Sequence, residues 1–204
     1  MIIKTKPSFL EEYAKTDGII TEISNVHVKR IEDWSMAVAE KKGRELHHIK
    51  DPINRGERFF TGMFGEVAIV VYILGESIES IDWSIGPSAQ YKKADLSNIG
   101  LDVGIKTVRH PDNHPKRIEA FPLVSQKPKC PEIINVKLSD NKINTIGVVG
   151  VEYLKTYARI DLVNDTRART RKAGFYNFSV AKPFKSLEEL KCLVLPDYWP
   201  IDWS

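Results

Sequence analysis

Residues 67–74, Val-Ala-Ile-Val-Val-Tyr-Ile-Leu, form the longest apolar run of the chain, and Gly75 closes it. The run is far too short to cross a bilayer. Together with the preceding Thr61-Gly-Met-Phe-Gly-Glu66 it is apolar on all sides from residue 67 onward. That pattern describes a helix buried on every face rather than an amphipathic one. Its β-branched content makes a strand the competing reading, but total length and the Gly-Glu-Val-Ala start favour a helix. A helix of this kind must be packed round by the rest of the chain. With 204 residues and 42% hydrophobic content, the sequence suits one domain, 1–204, with a sizeable core.

The flanking segments give that domain two parts. Up to about residue 60 the patterning is helical: a short helix is expected over 8–15. A longer one follows, capped near Ser24 or Asn25, with Val28, Ile31, Trp34 and Val38 on one face and Gly43 as its stop. Period-two segments begin after Gly75. The expected strands are 78–83, 89–93, 101–108, 120–124, 133–138, 145–151 and 175–180, punctuated by Gly, Pro, Asn and Asp. Short helices are expected near 152–157 and after Pro183, the latter with a capping box of Ser186 and Glu189. The expected architecture is a mixed α/β (α+β) core over about 61–190.

Net charge is only +3, but its distribution is uneven. Residues 1–90 carry net −3, 91–129 net +4, 130–166 net −1 and 167–191 net +5. Two basic segments suggest a polyanion met through a local patch. Cys130 and Cys192 are the only cysteines, too few and too far apart for a disulfide framework or a zinc site. Residues 1–7 lack the apolar run of a signal peptide. A soluble, cytoplasmic protein without a membrane partner is expected. Gly-x-Gly-x-x-Gly, phosphate-loop, Gly-x-Ser-x-Gly and His-Glu-x-x-His motifs are all missing.

The chemistry concentrates in Asp95-Leu-Ser-Asn-Ile-Gly-Leu-Asp-Val-Gly-Ile-Lys-Thr107, with Gly65-Glu66 upstream. It reads as a loop followed by a strand. Leu101, Val103 and Ile105 point one way, and Asp102, Gly104 and Lys106 the other. Carboxylates hold a hard divalent cation, and a lysine ammonium steadies charge or orients an attacking water. Glu66, in turn, either complements the dipole at a helix start or points from the buried helix into a cleft.

This order of a helix Glu, a loop Asp and a strand lysine within a basic surround resembles the PD-(D/E)xK nuclease superfamily. The matching positions are Glu66, Asp95 and Lys106. Some phage and restriction-type members are also similar in a Gly-x-x-Gly-Glu-x-Ala helix start (Gly62, Gly65, Glu66, Ala68) and a Lys-Thr pair (Lys106, Thr107). Further similarities are a strand like Ile146-Gly-Val-Val-Gly150 and a closing Phe-Tyr-Asn-Phe (175–178). The resemblance spans roughly 55–190. It implies a restriction-endonuclease-like mixed sheet flanked by helices and a Mg²⁺- or Mn²⁺-dependent DNA endonuclease, phage-encoded or of restriction type. It also implies a dimer where two strands are cut. Glu66, Asp95 and Asp102 would serve as metal ligands, and Asp95, Lys106, Glu66 and Asp102 as the catalytic set. Arg109, Lys116, Arg117, Arg167, Arg169, Arg171 and Lys172 would hold the nucleic-acid backbone.

One departure stands out. The acid two residues before the lysine is Gly104 here, and Asp102 lies about 6.6 Å farther back at roughly 3.3 Å per residue. Three outcomes follow. Asp102 acts as a migrated ligand, one ion is held by Glu66, Asp95 and a backbone carbonyl such as that of Ile105, or the chain is an inactive relative that only binds DNA.

Overall fold

The computed structural model describes residues 18–43, 52–86, 93–109, 123–125, 130–151, 154, 173–175 and 181–195. In chain order the elements are β1 (Ile19–Glu22), α1 (Asn25–Gly43), α2 (Pro52–Val67), β2 (Gly104–Arg109), β3 (Leu123–Ser125), β4 (Glu132–Lys137), β5 (Lys142–Val149), β6 (Ala173–Phe175) and α3 (Leu187–Leu193). Four strands form a mixed sheet in the order β1-β5-β4-β2, while β3 and β6 pair separately. Among the described residues, no helix is long and apolar enough to cross a membrane.

Helix α1 starts where its cap was expected. The Ser24 Oγ accepts from the His27 N–H at 3.4 Å, and the Val28 N–H bonds the Ser24 carbonyl at 2.9 Å. Ile31 and Val38 are fully buried, and Val28 and Trp34 pack beside the core. Helix α2 begins earlier than the apolar pattern suggests, with Pro52 at its first position, where the missing N–H costs nothing. It runs on as a π-helix over Ala68–Ile73, whose wider turn is visible in the Leu74 N–H bonding the Ile69 carbonyl at 2.9 Å. Gly75 ends it at φ 71°. The apolar run is helical as expected, with Phe64, Val67, Ala68 and Ile69 completely buried, but Val71, Tyr72, Ile73 and Leu74 are only partly buried, so it is not enclosed on every face.

Ile105, Ile133, Ile143 and Val148 turn one face of the main sheet onto α2 and the π-helix. Fully burying an aliphatic side chain of this size stabilises by about 1.5–3 kcal/mol. Thr107 and Asn135 continue the same face. A Cβ on Gly65 would lie 1.9 Å from Thr107 Oγ1 and 3.0 Å from Asn135 Nδ2. Glycine at 65 therefore lets α2 approach β2 closely, bringing the next residue, Glu66, near the sheet.

Several expected elements differ. Residues 78–83 form no strand; Ile78–Ser80 is a 3₁₀ turn. The Ser77 Oγ accepts from the Glu79 N–H at 3.2 Å, and Arg30 grips Glu79 through two bonds of 2.6 and 3.0 Å. Arg30 also stacks 4.4 Å above Trp83, whose carbonyl accepts from Trp34 Nε1 at 2.8 Å. The apolar alternation there serves a loop clamped to α1, with Ile81 buried, rather than a ladder. Strand β2 starts at Gly104 because 101–103 still belong to the preceding loop, and β5 starts earlier than expected, at Lys142. Strand β1 was not expected at all. Lys93 lies in a bend, and 89–92 fall outside the described residues. So do 8–15, 120–122, 176–180 and most of 152–157, although Val151 and Leu154 are helical. Half of the expected capping box forms before α3: the Ser186 Oγ accepts from the Glu189 N–H at 3.2 Å, while the Glu189 carboxylate accepts from the Lys185 N–H at 2.6 Å rather than from Ser186.

Candidate active site

Asp95 is placed by a tight loop. The Leu96 N–H bonds the Val103 carbonyl at 3.1 Å, and the Leu101 N–H bonds the Leu96 carbonyl at 3.2 Å. Ser97–Ile99 form a 3₁₀ turn, and Gly100 reverses the chain at φ 80°. Leu96, buried to 1% exposure, pins the loop to the core. Asp95 as a residue is exposed, but its carboxylate turns inward, where Oδ2 accepts from the Ile105 N–H at 2.5 Å. Desolvation raises its pKa, outweighing that hydrogen bond and the pull of Lys106.

Glu66 comes from the last turn of α2. It is partly buried, and its carboxyl is pushed up to about 8. Desolvation is the largest cause, followed by repulsion from Asp95 and Asp82, with Lys106 pulling the other way. No hydrogen bond enters that balance. Asp82 reaches this neighbourhood on the loop that Arg30 and Trp34 clamp to α1. Its own pKa is lowered by hydrogen bonds from Ser84, the Ser84 N–H standing 2.9 Å from Oδ1. The dipole reading of Glu66 does not apply, since the helical run that starts at Pro52 continues to Ile73 and Glu66 lies inside it.

Lys106 lies on β2 with its side chain 44% exposed, and its Nζ stands 3.9 Å from Glu132 Oε1 on β4. Gly104 and Glu132 are direct partners in the parallel ladder. A Cβ built at 104 would meet Cys130 Sγ at 3.6 Å, Asp95 Oδ2 at 3.8 Å and Glu132 Cγ at 3.8 Å, all ordinary contacts. The Cys130 thiol is raised by desolvation and then by Asp102 and Glu132, which keeps it protonated and a poor nucleophile. Asp102 is exposed in the loop before β2 and acts on Cys130, whereas the acids acting on Glu66 are Asp95 and Asp82.

No protein-family model matches this chain, and no curated protein or solved structure matches it. The site is therefore read from its own residues. Three separate elements, α2, the 94–103 loop and β2, bring Glu66, Asp95 and Lys106 within electrostatic reach of one another. Asp82 and Glu132 join them, and neither was singled out from the sequence. Arg109 closes β2, with its side chain outside the described set, as are Lys116, Arg117, Arg167, Arg169, Arg171 and Lys172.

Among the described residues, no group of three or more His, Cys, Asp and Glu side chains is placed to hold a metal ion. The donor chemistry nonetheless fits a magnesium-type ion. Glu66, raised by burial and then by the charges of Asp95 and Asp82, would be relieved by a divalent charge, and Mg²⁺ commonly takes one or two carboxylates and fills its remaining positions with water and substrate phosphate.

Proposed function

We propose that this chain is a Mg²⁺- or Mn²⁺-dependent deoxyribonuclease with a restriction-endonuclease-like core, hydrolysing phosphodiester bonds in DNA. The observation that carries this reading is the desolvated, proton-retaining Glu66 beside Asp95 and Lys106. Perturbed acids gathered from separate elements around a lysine are the kind of arrangement on which functional sites are built. Glu66 and Asp95 would hold the ion, which supplies Lewis-acid activation of phosphate and water when bound. Lys106, half exposed at the sheet, orients the attacking water and offsets charge gathering on phosphorus. One water is consumed: its oxygen bonds phosphorus and the bond to the leaving oxygen breaks. One water proton ends on that oxygen and the other passes to solvent, giving a phosphate monoester and an alcohol. The basic segments at 91–129 and 167–191 would hold the nucleic-acid backbone.

Cleavage of plasmid and linear DNA with Mg²⁺ or Mn²⁺ tests this directly. Native protein should cut, and Asp95→Ala and Lys106→Ala should each lower the rate by at least about a hundredfold. Gly104 favours a second reading, a DNA-binding protein on the same fold that lacks a complete acid set and modulates DNA metabolism. That reading requires salt-dependent DNA binding that survives chelation, with no cleavage by either metal.

A further inference from the structure

We propose that Glu132 supplies the carboxylate that position 104 lacks, so that the acid has moved one strand sideways, from β2 to β4. This rests on the nuclease reading. Side chains of direct partners in a ladder share one face, about 4.8 Å apart across the strands. Glu132 partners Gly104, so its side chain leaves the sheet on the face from which an acid at 104 would project, beside Lys106. The distances agree. The space in front of Gly104 is bounded by Cys130 Sγ, 3.6 Å from a Cβ built there, and by Glu132 Cγ and Asp95 Oδ2, each 3.8 Å from it, and Lys106 Nζ lies 3.9 Å from Glu132 Oε1. Glu132 is only 8% exposed, so its carboxylate is held at the sheet face beside Lys106 rather than out in solvent.

The exchange also accounts for the glycine, whose backbone has no need of one: residue 104 lies in a regular strand and is absent from the positive-φ positions. With Glu132 reaching across the gap, a second acid at 104 would place three carboxylates around one lysine. Glycine keeps that space for Glu132, Asp95 and the ligand they face. Glu132 thus joins Asp95 as a carboxylate toward the cation and holds Lys106 in line.

The test is Mn²⁺ binding alone, by titration calorimetry of the full chain, run beside DNA cleavage and thermal melts. Glu132→Gln should weaken Mn²⁺ binding about tenfold or more and slow cleavage, with a melting temperature close to the native value. Adding Gly104→Asp to Glu132→Gln should recover both, since a Cβ at 104 makes only ordinary contacts. If native protein binds Mn²⁺ and cuts DNA while Glu132→Gln matches it, the inference fails and the nuclease reading stands. A folded double variant that recovers nothing also overturns the exchange. Native protein that neither binds Mn²⁺ nor cuts overturns the nuclease reading itself. Should Glu132→Gln melt early, Gly104→Asp alone decides. An unchanged or smaller Mn²⁺-induced rise in melting temperature than in native protein supports the exchange, because Glu132 already supplies that carboxylate, and a larger rise overturns it.

Discussion

At the residue scale, Glu66 dominates the electrostatics. Its folded pKa of about 8 lies above its ordinary 4.5 because burial and two neighbouring acids disfavour the charge. Between those values the folded chain keeps a proton that the unfolded chain has lost. The stability linked to Glu66 is therefore fully present below about pH 4.5 and declines as pH rises toward about 8. Glu66→Gln cannot ionise, so in metal-free buffer the native-minus-variant stability difference should fall steadily across that window. Urea midpoints for both proteins from about pH 4.5 to about pH 8 measure it, and parallel curves would refute the assignment. Mn²⁺ should flatten the native curve, since a bound cation favours the ionised carboxyl.

At the element scale, α2 lies close against β2 at Gly65. Gly65→Ala would place a methyl 1.9 Å from Thr107 Oγ1 and 3.0 Å from Asn135 Nδ2, forcing helix and strand apart. Overpacking of this kind costs about 1–3 kcal/mol, read as a lowered denaturation midpoint, and cleavage should drop with it because Glu66 moves too. At α3, Ser186→Ala removes the acceptor for the Glu189 N–H and should cost about 1 kcal/mol without affecting cleavage. Much at this scale was legible in the sequence. The apolar run marked a helix of the core, and Ser24 and Ser186 marked two helix starts, because these signals are local. Strand β1 was missed because it is four residues long with only Thr21 buried, too short for a period to register. Residues 78–83 were misread because a clamped loop also buries alternate residues. Glu132 could not be found: nothing near it in sequence shows that β4 lies parallel to β2, and only that pairing sets it beside Gly104.

At the scale of the whole molecule, charge is segregated along the chain, with net +5 over 167–191 against net −3 over 1–90. Affinity for DNA should fall with salt. Replacing Arg167, Arg169, Arg171 and Lys172 by Ala should flatten the log–log slope by about 0.9 for each duplex phosphate that is no longer neutralised. Fluorescence anisotropy across a salt series gives both slopes, and identical slopes would place the DNA-binding surface elsewhere.

The parallel pairing of β2 with β4 also sets an order of assembly. Strands β4 and β5 meet through a short reversal, where the Leu138 N–H bonds the Lys142 carbonyl at 2.8 Å, so that hairpin can zip early. Strand β2 can join only after the chain from 110 to 131 has closed on itself, an entropic toll that slows non-local pairing. Lys106 and Glu132 belong to the two sides of that closure. The nascent chain would carry Glu132 and Lys106 apart, and the proposed hydrolytic centre would come into being only when β2 pairs with β4.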